Sequence, residues 1–156
     1  DNLLGTKWSK LLINSTFSGL SAALNCTYGD ILDNPDAFEI ARHVVDECIK
    51  VGHANHIEFA TISGHDLTEF ENHKNAEKLN KMIQPSRKLE ASMLQDLRKQ
   101  RQTEINYING LVVEVGEKHN ISTPCNQKIV EIISKASSSS ELPKFEHSLQ
   151  LFKVLA

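Results

Sequence analysis

The sequence predicts an all-α fold, a bundle of about six to eight helices packed around a buried first helix. Apolar residues recur at three- and four-residue spacing along nearly the whole chain, whereas alternating strand patterns are missing. No Asn-Gly or Asp-Gly turn joins two β-branched runs, so hairpins are not expected. The 156 residues suffice for one domain with its own core, so we treat residues 1–156 as a single domain.

The first predicted helix spans Trp8–Leu24. Its side chains are apolar almost all round, a pattern typical of a central, buried helix. Gly19 lies inside it, where glycine costs about 1 kcal/mol relative to alanine. This position therefore predicts a close approach of another group to the helix backbone, or a kink.

The second helix carries its own boundary signals. Asn34 can cap its start, and Pro35 suits the first turn. Lys50 and Gly52 are typical of its last turn and end. Further helices are predicted over 66–83 (one or two, stopped by Pro85), 90–98, 103–119, 124–136 (capped by Thr123, with Pro124 in its first turn) and 141–155, with Ser137–Ser140 as a linker.

Composition narrows the classes of partner. Net charge is −3 and no basic stripe stands out, which argues against nucleic acid as a partner. No apolar run approaches the roughly 18 residues that a membrane-spanning helix needs, so no membrane partner is expected. The three cysteines are widely spaced, which favours a reducing, cytoplasmic location. The chain starts at Asp1 without a methionine, so we expect it to be cut from a longer protein.

Two pairs of polar residues could carry chemistry. Lys10 and Asn14 are four apart and project about 6 Å from each other on one helix face. A lysine on an apolar helix is either buried with partners or extends its ammonium to solvent. Taken alone, Ser92 reads as a helix-end residue and Glu104 as a first-turn partner of a helix dipole.

Histidines cluster in the polar segment 53–73, where His53 and His56 form a His-x-x-His pair and His65 and His73 lie nearby. A metal site needs three or four converging ligands. We predict that these histidines face solvent and bind no metal.

Three motifs resemble the C-terminal domain of the ketopantoate reductase (2-dehydropantoate 2-reductase) family. Residues 8–14 read WSKLLIN, residues 92–96 read SMLQD and residues 103–110 read TEINYING, with a Thr-Pro pair following at 123–124. The resemblance implies an architecture like the C-terminal domain of 6-phosphogluconate dehydrogenase.

The resemblance also implies roles for five residues. Lys10 corresponds to the proton donor to the substrate's keto oxygen, and Asn14 to a substrate contact. Ser18 stands where a second substrate-binding Asn is usual, and Gly19 follows it where proline is usual. A matching Ser, here Ser92, holds the substrate carboxylate. The Glu at position 104 touches the cofactor ribose or orders the site.

The reaction so implied is reduction of a 2-oxo acid by NADPH, most simply 2-dehydropantoate to pantoate in pantothenate biosynthesis. The seven glycines form no Gly-x-Gly-x-x-Gly motif. NADPH would therefore be held mainly by a Rossmann domain preceding Asp1, and the present chain alone should be inactive. A homodimer is possible. Two alternatives stay open: a non-catalytic helical dimerisation or partner-binding module, and a related reductase of a different 2-oxo acid. Both alternatives are supported by Ser18 and Gly19, which stand where the family motif usually has asparagine and proline.

Overall fold

The computed structural model describes residues 1–155, and within them the fold is all-α, as predicted. Its one β feature is an isolated bridge between Ile62 and His65. The helices are α1 (Leu3–Ile13), α2 (Gly19–Leu24), α3 (Tyr28–Asp33), α4 (Pro35–Ala54), α5 (Ala76–Ile83), α6 (Ser92–Arg98), α7 (Asn109–Lys118), α8 (Pro124–Ser139) and α9 (Phe145–Lys153). Shorter helical turns span Asn14–Ser18 (π) and Leu67–His73, Gln84–Ser86 and Ile105–Tyr107 (3-10).

The predicted central helix is confirmed. Helix α1, the π turn and α2 follow one another without interruption, and Leu12, Phe17 and Leu20 are fully buried. This rod packs against α4, α6, α8 and α9. It begins five residues earlier than predicted, because the Asn2 side chain accepts a hydrogen bond from the Gly5 N–H (3.0 Å) and caps α1.

Local capping chemistry sets the start of α4. The Asn34 side chain accepts from the Ala37 N–H at 3.0 Å and Pro35 occupies the first turn, as predicted. The helix continues two residues beyond Gly52 to Ala54. Helix α3, which precedes α4, was not predicted. A capping box between Thr27 and Asp30 starts it.

The predicted helix over 103–119 is wrong in its first third. Helix α7 begins at Asn109, and Ile108 has non-helical backbone angles (φ −110°, ψ −97°). The Asn109 side chain is fully buried and bonded to the central helix. This tertiary contact fixes a break that the apolar spacing alone does not reveal.

The last two helices also differ from prediction. Helix α8 runs through Ser139, so most of the predicted serine linker is helical, and it stops where Ser140 adopts a left-handed conformation (φ 59°). Helix α9 begins only at Phe145. Pro143 cannot donate to a helical ladder, and its carbonyl accepts instead from the Asn25 side chain (3.1 Å). Across the described residues, no helix is both long and apolar enough to cross a membrane.

Candidate active site

Lys10, Asn14 and Ser18 lie on successive turns of the central helical rod. Lys10 and Asn14 are exposed, although the residues between them are mostly buried. The Ser18 side chain is half-buried, and its hydroxyl shares a hydrogen bond with the Tyr28 hydroxyl (2.8 Å). The sequence allowed Lys10 to be either buried with partners or extended into solvent, and in this chain it is exposed to solvent.

Lys10, Asn14 and Ser18 form a row along the central helix, and the second half of this row, Asn14–Ser18, is a π turn. Such turns widen a helix by one residue and often occur at functional sites. The cause here is visible in the packing. The Asn109 side chain donates to the Ser15 carbonyl at 2.9 Å, and its amide lies directly over Gly19. A Cβ at Gly19 would come within 2.6 Å of Asn109 Oδ1, so the predicted close approach at this glycine is confirmed.

Ser92 lies at the Ser18 end of the row. The preceding residue, Ala91, donates its N–H to the Ser21 hydroxyl at 2.9 Å. The Tyr28 N–H donates to the Leu89 carbonyl, also at 2.9 Å. The 89–92 segment therefore follows the turn of α2 just beyond Ser18, and the exposed Ser92 starts α6. Lys10 is eight residues from Ser18, or about 12 Å along a helix.

Glu104 directly precedes the 3-10 turn Ile105–Tyr107, with φ −91° and ψ 18°, and its side chain is exposed. The expectation that it sits in the first turn of a helix is wrong, because α7 starts five residues later. Asn109, five residues after Glu104, donates to the Ser15 carbonyl, which lies between Asn14 and Ser18 on the central helix. Within residues 1–155, the side chains of Lys10, Asn14, Ser92 and Glu104 form no hydrogen bond to other protein groups.

Sequence reasoning missed a buried polar network behind this row. Asn109 Nδ2 donates to Asn126 Oδ1 (2.9 Å), and Asn126 Nδ2 donates to Glu47 Oε1 (2.9 Å). The Cys125 and Asn126 N–H groups also donate to the Glu47 carboxylate, at 2.9 and 3.0 Å. A usable signal was present, because Glu47 falls between Val44 and Val51 on an apolar face of α4.

Glu47, not Thr123, caps α8. The Thr123 side chain makes no capping bond, and its buried hydroxyl has no partner among the described groups. The Glu47 carboxylate takes over the first N–H groups of α8, where the helix dipole favours negative charge. Burial raises the pKa of Glu47, although the bonds from Asn126 and Cys125 oppose the shift.

The cysteines do not supply a nucleophile. All three are free and buried, and burial raises the pKa of each thiol, that of Cys26 to about 12. Cys48 lies in the core as predicted, at 1% exposure.

The histidine-rich segment is only partly solvent-facing. His53 and His56 are exposed as expected, but His73 is half-buried against His43 and Glu39 of α4. A cavity of about 170 Å³ opens beside Glu39 and His43. A larger one of about 350 Å³ lies between α8 and α9, away from the Lys10 row.

This chain is similar in sequence to a known protein family and to several of its members. Residues 2–137 match the family model described as "Ketopantoate reductase PanE/ApbA C terminal". A 2-dehydropantoate 2-reductase of Pyrococcus horikoshii is 32% identical over 126 residues, which are 81% of this chain and 38% of that protein. The Shigella flexneri enzyme of the same name is 28% identical over 142 residues, 90% of this chain and 42% of that protein. The chain thus spans about two fifths of the length of these curated relatives.

Solved structures share the fold. A PanE/ApbA family ketopantoate reductase from Ralstonia eutropha superimposes with a TM-score of 0.76 at 23% identity, covering 90% of this chain and 43% of that one. D-mandelate dehydrogenase in a ternary structure with NADH and anilino(oxo)acetate gives 0.74 at 26% identity, covering 91% and 43%. A dimeric ketopantoate reductase from Staphylococcus aureus gives 0.67 at 21% identity, covering 85% and 43%.

Proposed function

Because this chain belongs to the ketopantoate reductase family, as its C-terminal domain, we propose that it is the substrate-binding half of an NADPH-dependent 2-oxo acid reductase. The first candidate substrate is 2-dehydropantoate, reduced to pantoate in pantothenate biosynthesis. One observation carries the proposal. Lys10 and Asn14 are exposed and have no side-chain partner among the described residues, although most of the residues between and beside them on the central helix are buried.

The donor set fits a 2-oxo acid. Such a substrate offers a keto oxygen and a carboxylate, both hydrogen-bond acceptors. Lys10 and Asn14 present ammonium and amide donors on neighbouring turns, and Ser92 presents a hydroxyl near the other end of the row. We assign the keto oxygen to Lys10 and Asn14, and the carboxylate to Ser92. Because these two groups are on adjacent carbons of the substrate, the Lys10 side chain would have to extend along the helix toward Asn14 and Ser18.

In the proposed reaction, NADPH supplies a hydride to the keto carbon when it is bound by another domain. The Lys10 ammonium polarises the keto oxygen beforehand and gives it a proton as negative charge develops there. The product is a 2-hydroxy acid, and the Lys10 amine regains its proton from solvent. Since Lys10 is exposed in this chain, a domain docked over the row would have to exclude water from its ammonium group before the reaction.

The remaining two residues serve orientation. The hydroxyl of Ser18 is paired with Tyr28, so the two form one polar unit that reaches substrate directly or through water. Glu104, an exposed carboxylate, can accept hydrogen bonds from the ribose hydroxyls of the cofactor. This chain has no glycine-rich phosphate loop, so it should bind NADPH only very weakly by itself.

A reductase of a different 2-oxo acid is the second candidate. The fold is shared with D-mandelate dehydrogenase at 26% identity, and Ser18 is shorter than the asparagine that the motif usually carries. Either substrate requires the same proton donor.

We further propose that a Rossmann domain preceding Asp1 completes the enzyme, since the relatives are more than twice as long as the matched segment. The dimeric relative supports a homodimer. Three free, buried cysteines fit the reducing cytoplasm.

The test is Lys10→Ala in the full-length protein, with Lys7→Ala as the matched control. Both lysines are exposed on α1, three residues apart. Lys10→Ala should lower kcat by roughly 100-fold or more, the size of a general-acid contribution, while Lys7→Ala leaves it unchanged. Near-normal kcat in the Lys10 variant would place the proton donor elsewhere.

A further inference from the structure

Three metal-ligating side chains converge on the outer face of α4, apart from the candidate active site. Glu39 and His43 are four residues apart on the helix, and His73 reaches them from the end of the 3-10 segment. One ligand atom from each lies within 4.8 Å of the others. We propose that Glu39, His43 and His73 bind a divalent transition-metal ion, most simply Zn²⁺.

The distances are close to those that a metal requires. His73 Nδ1 lies 3.1 Å from Glu39 Oε1, and His43 Nε2 lies 3.7 Å from the same oxygen. Ligands about 2.0–2.1 Å from a tetrahedral zinc are roughly 3.3 Å apart. Small side-chain rotations would therefore bring all three donors to bonding distance. Two imidazoles and one carboxylate are a common zinc set, with water in the fourth position.

Neighbouring groups already hold the donors in place. Arg42 Nη1 donates to Glu39 Oε2 (3.1 Å), which leaves Oε1 turned toward the two imidazoles. Arg42 Nη2 donates to the His73 carbonyl. The Asn72 N–H donates to the Asp46 carboxylate at 2.7 Å, which ties the same loop to α4. Groups that orient ligands in this way support metal sites generally.

The backbone that presents His73 is unusual. Asn72 and His73 both adopt left-handed conformations, with φ of 59° and 62°. Two consecutive non-glycine residues in this region are rare, and such strain is concentrated at ligand sites and switches. These backbone angles set the direction from which His73 approaches Glu39 and His43.

Calorimetry of the full-length protein with ZnCl₂ tests the proposal. The wild type should bind one ion at this site with micromolar affinity, and His43→Gln/His73→Gln should weaken binding by at least about tenfold. His53→Gln is the matched control, because His53 lies on the same helix with 44% of its side chain exposed, against 45% for His43. It should bind like the wild type.

A second measurement needs no variant. Co²⁺ added to the wild type should shift the ring-proton resonances of His43 and His73 far more than those of His53, which lies ten residues, or about 15 Å, further along α4. Three results would overturn the site: no binding by the wild type, undiminished binding by the double variant, or Co²⁺ shifts that spare His43 and His73.

Discussion

Replacing Glu47 with alanine should lower the free energy of unfolding by about 3 kcal/mol. The carboxylate accepts from the Cys125 and Asn126 N–H groups and from the Asn126 side chain, all at 2.9–3.0 Å and all in the interior. Each buried donor left without a partner costs about 1–3 kcal/mol. Release of the buried charge offsets part of this loss, because Glu47 pays a desolvation cost in the native state.

The loss is large against the 5–15 kcal/mol that typically stabilises a domain, and it corresponds to a drop in Tm of roughly 6–12 °C. Urea unfolding of this chain, followed by the fluorescence of the single, buried Trp8 and by circular dichroism, measures it. Glu114→Ala is the control, because that side chain is 62% exposed on α7, and its unfolding midpoint should not move. Surface substitutions typically change the free energy of unfolding by up to about 0.5 kcal/mol. If Glu47→Ala changes it by no more than this, the capping role is wrong.

Three further outcomes are expected. Burial raises the pKa of Glu47, so the folded state holds this proton more tightly than the unfolded state does. The contribution of Glu47 to the free energy of unfolding therefore falls as pH rises from the usual carboxyl range through the raised pKa. Glu47→Gln should remove this pH dependence of the unfolding free energy in a series of urea titrations, and an unchanged pH dependence would contradict the assignment. Gly19→Ala should cost about 1–3 kcal/mol through the clash with Asn109, and less in an Asn109→Ala background; equal costs in a double-mutant cycle would show that the two do not interact. Ser92→Ala in the full-length protein should raise KM for the 2-oxo acid by about tenfold with a smaller effect on kcat, and an unchanged KM would remove Ser92 from the carboxylate site.

The sequence revealed those features of the fold that neighbouring residues determine. Asn34 and Pro35 mark the start of α4 through contacts within one helical turn. Gly19 indicates a close approach by another group, because glycine destabilises a helix unless a larger side chain would clash there. The apolar spacing likewise identified the buried central helix, since burial on all sides leaves a readable pattern.

Features that depend on distant partners were not predictable in the same way. The start of α7 is set by Asn109 reaching Ser15, 94 residues away, and the cap of α8 comes from Glu47, 78 residues before Cys125. The π turn follows from the same Asn109 insertion. The candidate site was suggested by resemblance to a family and not by residue patterns. Exposure of Lys10 could not be read from an apolar helix that permits either burial or solvation.

The most direct measurement is steady-state oxidation of NADPH by the full-length protein with a panel of 2-oxo acids that includes 2-dehydropantoate. We expect saturable reduction of at least one of them, lost in Lys10→Ala, and no turnover by the 156-residue chain alone. A folded full-length protein that reduces no 2-oxo acid would contradict the proposed enzyme and favour a non-catalytic helical module.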